Sequence, residues 1–469
     1  MAKPHDGVMR GELEEVSLGD RRLDARAHEI FARLAVAPDE SFPEQMANEA
    51  ELEALYRFFA NPKVTMDRLL APHIAASVAR LQTQTVVRVV HDTTSLRFDG
   101  ERAGIGIING NTRGFFAHTS LAISGDDGCE PLGVLALSPY IHKNTLNRRA
   151  LTQQQRVRAT QAIPREKRES SRWERQAIET QAKMPPSVRA IHLMDQEADD
   201  FHVFAALQRG AMNFVIRVSP RRVTSEKLLA RDVLARKPAK IFRSVRVAAR
   251  AKPKTSHPVR AERVAELEVR WGKITIRRPA HDRHDVAETE LSFNAVHVFE
   301  PNPPPGEEAI EWLLVTTEPV ESLEDAGSIV DHYRVRWIIE EYFKALKTGC
   351  AIEKRQLTSF DGLTNALGLF VPIAWRLLAL RHLSRAELTP PATHLFDVEE
   401  LLLLHALLEQ RRHKLPASPS TKDVMLGLAR LGGHIRNNGD PGWLVLGRGY
   451  IRFAEASIGW NLARRCDQS

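Results

Sequence analysis

Asp92 closes the run TVVRVVHD (85–92) and Asp195 closes VRAIHLMD (188–195), so two apolar, strand-like segments each end on a carboxylate. In an open α/β sheet, side chains at the carboxyl ends of neighbouring parallel strands face the crevice where ligands bind. Two carboxylates held close repel one another unless a cation intervenes, and hard oxygen donors select Mg2+ or Mn2+. Each aspartate also has a plainer use, Asp92 in a turn into TTSL and Asp195 as the cap of the helix that follows.

A third acid comes from a helix. SIVDHYRVRWIIEEYFKALKTG (328–349) has helical periodicity and is stopped by Gly349. At about 100° per residue, Tyr333, Arg336, Glu340, Lys344 and Lys347 fall within an arc of about 80°. Val335, Ile338, Ile339, Tyr342 and Leu346 occupy the opposite, core-facing side. Glu340 therefore sits in a stripe of cations and one aromatic ring. Glu–Lys pairs at this spacing are common on solvated helices, but an acid flanked by Arg and Lys also suits metal binding beside a phosphate backbone.

The elements around these residues follow from the pattern. Residues 1–70 read as helices: LGDRRLDARAHEIFARLA (18–35) buries Leu23, Ile30, Phe31 and Leu34, and Thr65 caps a later helix. Arg21, Arg22 and Arg26 are left on the outer faces of the first, either to grip phosphate or as an ordinary solvated surface. From Thr85 the order is strand, hairpin about GDDG (125–128), a basic helical stretch to about Lys183, strand, helix and strand (212–219). That order predicts a mixed α/β sheet with helices on its faces. Residues 220–305 read as a β-rich insertion, EWLLVTTE (311–318) resumes a core strand, and the chain is helical again from about 362. The expected domains are 1–70, 71–361 and 362–469.

The net charge of +7 over 469 residues is unevenly placed. Residues 143–260 carry +17 and the remainder −10. This asymmetry predicts a polyanionic partner at the centre of the chain, nucleic acid first and anionic membrane second. With 43% hydrophobic and 27% charged residues the composition is globular, neither disordered nor collagenous. Asn365, Pro372 and Arg376 interrupt the longest apolar run, Leu363 to Leu380, which argues against a membrane span. No signal-peptide core stands at the N-terminus, and Cys129, Cys350 and Cys466 show no metal spacing. A reduced, cytoplasmic protein is expected.

These residues resemble a known family. Tyr333-x2-Arg336-x3-Glu340-x6-Lys347 is similar to the Y-R-E-K motif of bacterial DDE transposases of the insertion-sequence-four family. HDTTSL (91–96), MDQEAD (194–199), EWLLVTTEPVESL (311–323), RWIIEEYFKALKTG (336–349) and LARLGG (428–433) resemble the transposon-five type, as do LGDRRLDAR and ALYRFFANPKV near the N-terminus. The likeness spans nearly the whole chain. His91 departs from it, since an acidic residue often precedes the first aspartate.

The resemblance implies a ribonuclease-H-like mixed-sheet core with a β-rich insertion, flanked by all-α N-terminal and C-terminal domains. Asp92, Asp195 and Glu340 would be a triad holding two Mg2+ ions, with Mn2+ able to substitute. The implied activity is cut-and-paste transposition: binding the ends of a mobile element, metal-dependent hydrolysis and hairpin formation, and joining of 3′ ends to target DNA. Tyr333, Arg336, Lys344 and Lys347 would contact phosphates near the cleaved end. Trp312, otherwise a plain core strand residue, matches a tryptophan that stacks on a flipped base. Arg21, Arg22 and Arg26 match the end-recognition region, and the C-terminal helices would form a synaptic homodimer. In the basic insertion, Arg217, Arg221, Arg222, Arg243 and Arg246 are expected to track DNA. Two rivals stand beside this reading: a ribonuclease-H-like nuclease without strand transfer, and a catalytically silent DNA-binding derivative.

Overall fold

The computed structural model describes residues 12–141, 170–250, 259–279, 287–385, 391–435 and 441–466, less positions 111, 127, 395 and 397, with isolated positions between 142 and 169. Most of the basic stretch before Lys183 therefore lies outside the described residues. In chain order the elements are α1 (Arg21–Val36), α2 (Phe42–Gln45), α3 (Glu49–Phe59), α4 (Met66–Leu81), β1 (Val86–Arg97), β2 (Gly106–Asn109), β3 (Thr112–Ser124) and β4 (Pro131–Tyr140). Then come α5 (Ser171–Gln181), β5 (Arg189–Met194), α6 (Phe201–Arg209), β6 (Asn213–Val218), α7 (Ala230–Ala235), β7 (Lys240–Val247), β8 (Arg263–Arg277), β9 (Glu290–Phe299) and β10 (Glu311–Thr316). The chain closes with α8 (Leu323–Val335), α9 (Trp337–Lys344), α10 (Phe360–Arg385), α11 (Val398–Gln410), α12 (Thr421–Leu431) and α13 (Trp443–Cys466). The fold is mixed α/β, with helices at both ends of the sequence as expected.

Two compact units divide the chain. One comprises Val86–Asp92 and Leu146–Trp337. Its strands run in the order β1, β5, β6, β10, β9, β8, β7. β1, β5 and β6 are parallel, and every later pair is antiparallel. The β-rich stretch 220–305 thus supplies α7 and β7–β9, which extend this sheet beyond β10. Phe214, Ile216, Val218, Leu313, Val315, Ile274, Ile276, Leu291 and Phe293 point to one face, where they pack with Trp173 of α5, Phe201 and Phe204 of α6 and Leu234 of α7. Strand alternation sends Arg217, Trp312 and Leu314 to the other face. α8 lies on that side, burying Ala326, Ile329, Val330 and Tyr333. Its start is fixed by a capping box: the Asp325 N–H donates to Ser322 Oγ at 3.1 Å, and the Ser322 N–H donates to Asp325 Oδ2 at 2.9 Å.

The other unit comprises Met1–Thr85, Thr93–Thr145 and Ile338–Ser469. Asp20, Asn48 and Thr65 cap α1, α3 and α4 through their side chains. β3 and β4 form the antiparallel hairpin expected about residues 125–128. α10 is long and apolar enough to cross a membrane by length and composition, yet 89% of its apolar window is buried inside the protein. Its packing explains that apolarity: Trp375 Nε1–H donates to Pro131 O at 2.9 Å, and Asn365 donates to Phe59 O and Val64 O. Gly133 permits α4 to approach β4, since a Cβ there would stand 1.9 Å from Ser77 Oγ. α11, α12 and α13 share an apolar cluster that includes Leu404, Leu408, Val424, Leu428 and Phe453.

Candidate active site

β1 and β5 are held in parallel register from Val86 opposite Arg189 to Val90 opposite Leu193. The same offset, carried two residues on, sets Asp92 opposite Asp195. Adjacent strands stand about 4.8 Å apart, so the two aspartates lie on neighbouring strands. Only Asp195 stands at a strand end, however, because β1 runs on through TTSL to Arg97 and Asp92 lies within it rather than before a turn. Behind them the strands are tied by a buried pair of stacked imidazoles. His91 Nε2 lies 2.8 Å from His192 Nδ1, and His192 Nε2 lies 2.9 Å from Gln181 Oε1. Burial pushes His192 down to about 4, so its ring is neutral at ordinary pH. Asp195 also performs the capping role, accepting the Glu197 N–H at 2.8 Å.

A cation already lies on Asp92. Arg336 Nη1 stands 2.5 Å from Asp92 Oδ2, with the side chains 15% and 11% exposed. The Arg336 guanidinium carbon is 6.0 Å from the centre of the Tyr333 ring, which meets Trp312 edge-on at 5.2 Å between centroids. Burial raises the Tyr333 hydroxyl pKa, the nearby Arg217 and Arg336 guanidinium groups oppose that rise, and the Asp195 carboxylate adds to it. Within one unit, then, Asp92, Asp195, Arg217, Trp312, Tyr333 and Arg336 are gathered. Two of their polar atoms, Tyr333 Oη and Arg217 Nε, are buried without a hydrogen-bond partner. Unsatisfied buried donors are costly, and both face the neighbourhood of a cation, which suits an anionic oxygen ligand.

The helix that carries the motif differs from the continuous one expected. α8 begins earlier, at Leu323, and ends at Val335. The Arg336 N–H turns to Tyr333 O at 3.0 Å, a tighter bond than the α-helical one. α9 then runs only to Lys344, and Ala345–Gly349 form a π-helical turn. Lys347 sits on that wider turn, so a uniform 100° rule misplaces it, and Tyr333 is buried rather than on an open stripe. Glu340 is half-buried on α9 and Lys344 is exposed. Burial pulls the Lys347 ammonium below the usual lysine range; the Glu353 carboxylate opposes this, Arg97 reinforces it, and Glu340 opposes it.

The other cations divide by partner. Arg222 is braced against Asp199 and held over Phe204, with its side chain 18% exposed. Arg243 grips Asp331 of α8 through two hydrogen bonds, 2.7 and 3.1 Å, and Arg246 pairs with Glu262. Arg221 is exposed. On α1, Arg21 is exposed, Arg22 is 93% exposed beside Asp20, and Arg26 pairs with Glu29 at 3.0 Å. One residue escaped the sequence reading: Trp337, between Arg336 and Ile338, is 59% exposed. A signal for it existed, because it lies four residues after Tyr333 and so near the same stripe.

The donor chemistry of Asp92 and Asp195 fits a hard divalent cation. Among the described residues, no group of three or more His, Cys, Asp or Glu side chains is gathered closely enough to hold a metal ion. The Arg336 guanidinium on Asp92 is a cation in the position where such an ion would compete.

Comparison with known proteins gives two domain matches. Residues 6–64 match the family model described as transposase DNA-binding, and residues 153–371 match the transposase DDE domain. Asp195, Arg217, Trp312, Tyr333, Arg336 and Glu340 fall inside the second, and Arg21, Arg22 and Arg26 inside the first. Among solved structures, a cryo-EM structure of the piggyBac transposase synaptic complex with hairpin DNA is similar with a TM-score of 0.39 at 12% identity, covering 94% of this chain and 77% of that one.

Proposed function

We propose that this chain, which carries a transposase DNA-binding domain followed by a transposase DDE domain, is a cut-and-paste transposase that cleaves the ends of its mobile element and joins them to target DNA. The observation that carries the reading is the pair of orphaned buried atoms, Tyr333 Oη and Arg217 Nε, beside Arg336, with Asp92 within β1 and Asp195 at the end of the neighbouring β5. A phosphodiester satisfies them: its oxygens accept from the tyrosine hydroxyl and the arginine, while the reacting phosphorus lies toward the carboxylates.

Asp92, Asp195 and Glu340 would hold divalent metal, Mg2+ with Mn2+ as a substitute, which supplies activation of the attacking water or 3′-hydroxyl and stabilisation of the leaving oxygen. This chain's own groups orient the substrate. Arg336 leaves Asp92 to pair with a phosphate, and Lys344 and Lys347 neutralise backbone charge beyond Glu340. Trp312, edge-on to Tyr333, offers a face on which an extruded base stacks. Arg21, Arg22 and Arg26 read as backbone contacts of end recognition. A synaptic homodimer and a hairpin intermediate complete the proposal.

The test uses purified protein, Mg2+ and a donor plasmid bearing the element's ends. Release of a flush-ended fragment is the expected product. Nicks at random positions, independent of the ends, would sink the transposase reading in favour of a general nuclease.

A further inference from the structure

The last helices of the chain carry a group of exposed cations. Arg411, Arg412 and Lys414 follow α11, and Arg448 and Arg452 stand one helical turn apart on α13; all five are exposed. None of them makes an ion pair with a described residue. Two converge. Arg411 Nη1 donates to Leu431 O at 2.9 Å, and Arg452 Nη1 donates to the same oxygen.

Leu431 ends α12, so its carbonyl has no partner within the helix. One guanidinium would satisfy it, and the helix end offers only about half a negative charge. Two full positive charges are nonetheless held side by side there, each retaining four further N–H donors in a planar fork. They open onto a cleft of about 330 Å³ that is also lined by Leu407, Gln410 and Ala456. Such a fork pair matches the paired oxygens of a phosphodiester. A single carboxylate would leave Arg412, Lys414 and Arg448 uncompensated, whereas a duplex backbone presents charge after charge.

We propose that the Arg411–Arg452 cleft binds a backbone phosphate of duplex DNA, giving the C-terminal helices a DNA contact of their own. This goes beyond the proposed reaction, because it needs no chemistry at Asp92 and holds whether or not the ends are cut.

The experiment measures binding of the full chain to a short duplex lacking the element's ends, across a range of salt concentrations. Each phosphate contact contributes about 0.9 to the slope of log K against log salt. The double variant Arg411→Gln/Arg452→Gln removes that one contact and is expected to lower the slope by about 0.9. Arg452→Gln alone leaves Arg411 on Leu431, which protects the fold, and is expected to lower it by a part of that amount. The double lysine variant keeps both charges and should keep the slope. An unchanged slope in the folded glutamine variants overturns the proposal. Equal loss in the lysine and glutamine variants assigns the pair to capping α12, which overturns it too. If inorganic phosphate raises the melting temperature through these arginines while duplex binding ignores them, the cleft serves a free anion and the DNA assignment falls.

Discussion

Arg336 Nη1 lies 2.5 Å from Asp92 Oδ2 of β1, and Asp195 follows the last residue of β5, the parallel neighbour of β1. A carboxylate so poorly exposed needs a cation at all times. In the DNA-free chain that cation is a side chain of the same motif that is proposed to hold phosphate. Arg336→Gln should therefore cost stability, by roughly 2 kcal/mol in the absence of metal, since it removes a close ion pair from a poorly exposed carboxylate. Added Mn2+ should then raise the melting temperature of Arg336→Gln more than that of the wild type. An equal response in both proteins would mean that the ion and the arginine do not share Asp92.

Asp92→Ala, Asp195→Ala and Glu340→Ala are each expected to abolish end cleavage and leave binding of the ends intact. The dissociation comes from location: the contacts proposed for end recognition lie on α1, within residues 6–64. Gel-shift and cleavage assays on the same preparations check both halves, and cleavage by any of the three variants would remove that residue from the triad.

Trp312→Ala should separate the steps of cleavage. The first nick needs only the carboxylates and should persist, whereas closing a hairpin requires a distorted end that the indole is proposed to hold by stacking. Hairpin yield is read on denaturing gels. The variant also loses an edge-to-face contact with Tyr333, worth about 1 kcal/mol, so a melting curve must accompany the assay. Normal hairpin yield in a folded variant would strip Trp312 of the role.

Arg22 is the simplest cation to test, being 93% exposed with Asp20 as its one ion-pair partner among the described residues. Arg22→Ala should leave the melting temperature unchanged, weaken end binding and lower the salt slope by about 0.9. An unaltered slope would return Arg22 to the solvated surface.

What was legible in the sequence was what depends on local pattern. The β-branched run 85–92 and the apolar run 188–195 were readable as buried strands because burial on both faces leaves a near-continuous apolar signature, although β1 continues past Asp92 to Arg97. Thr65 and the 125–128 turn were readable for the same local reason. Long-range pairing was not. Arg222 looks like any basic loop residue until the fold brings Asp199 to it, and Arg243 until α8 brings Asp331. The break at Arg336 and the π turn at Ala345–Gly349 also escaped, since a fixed angle per residue cannot register a change of helical pitch. Trp337 was missed by choice of arc rather than for want of signal.

Acid should destabilise this protein through two histidines held neutral. Burial pushes His192 down to about 4; His332 is lowered to about 4 by burial, with the Arg88 and Arg189 guanidinium groups adding to it against Asp331. Arg88 Nε–H donates to His332 Nδ1 at 3.1 Å, which requires an unprotonated nitrogen there. Unfolding restores both rings to about 6.5. Between pH 6.5 and 4 the unfolded chain binds protons that the folded chain refuses, so stability falls as pH falls through this window. Each histidine can account for a loss of up to about 3 kcal/mol, complete only below 4. Urea titrations from pH 7 to 4.5 should show this slope, and His332→Gln should flatten it while leaving stability at pH 7 less affected than at pH 5. A slope unchanged by the substitution would mean that His332 titrates normally in the folded protein.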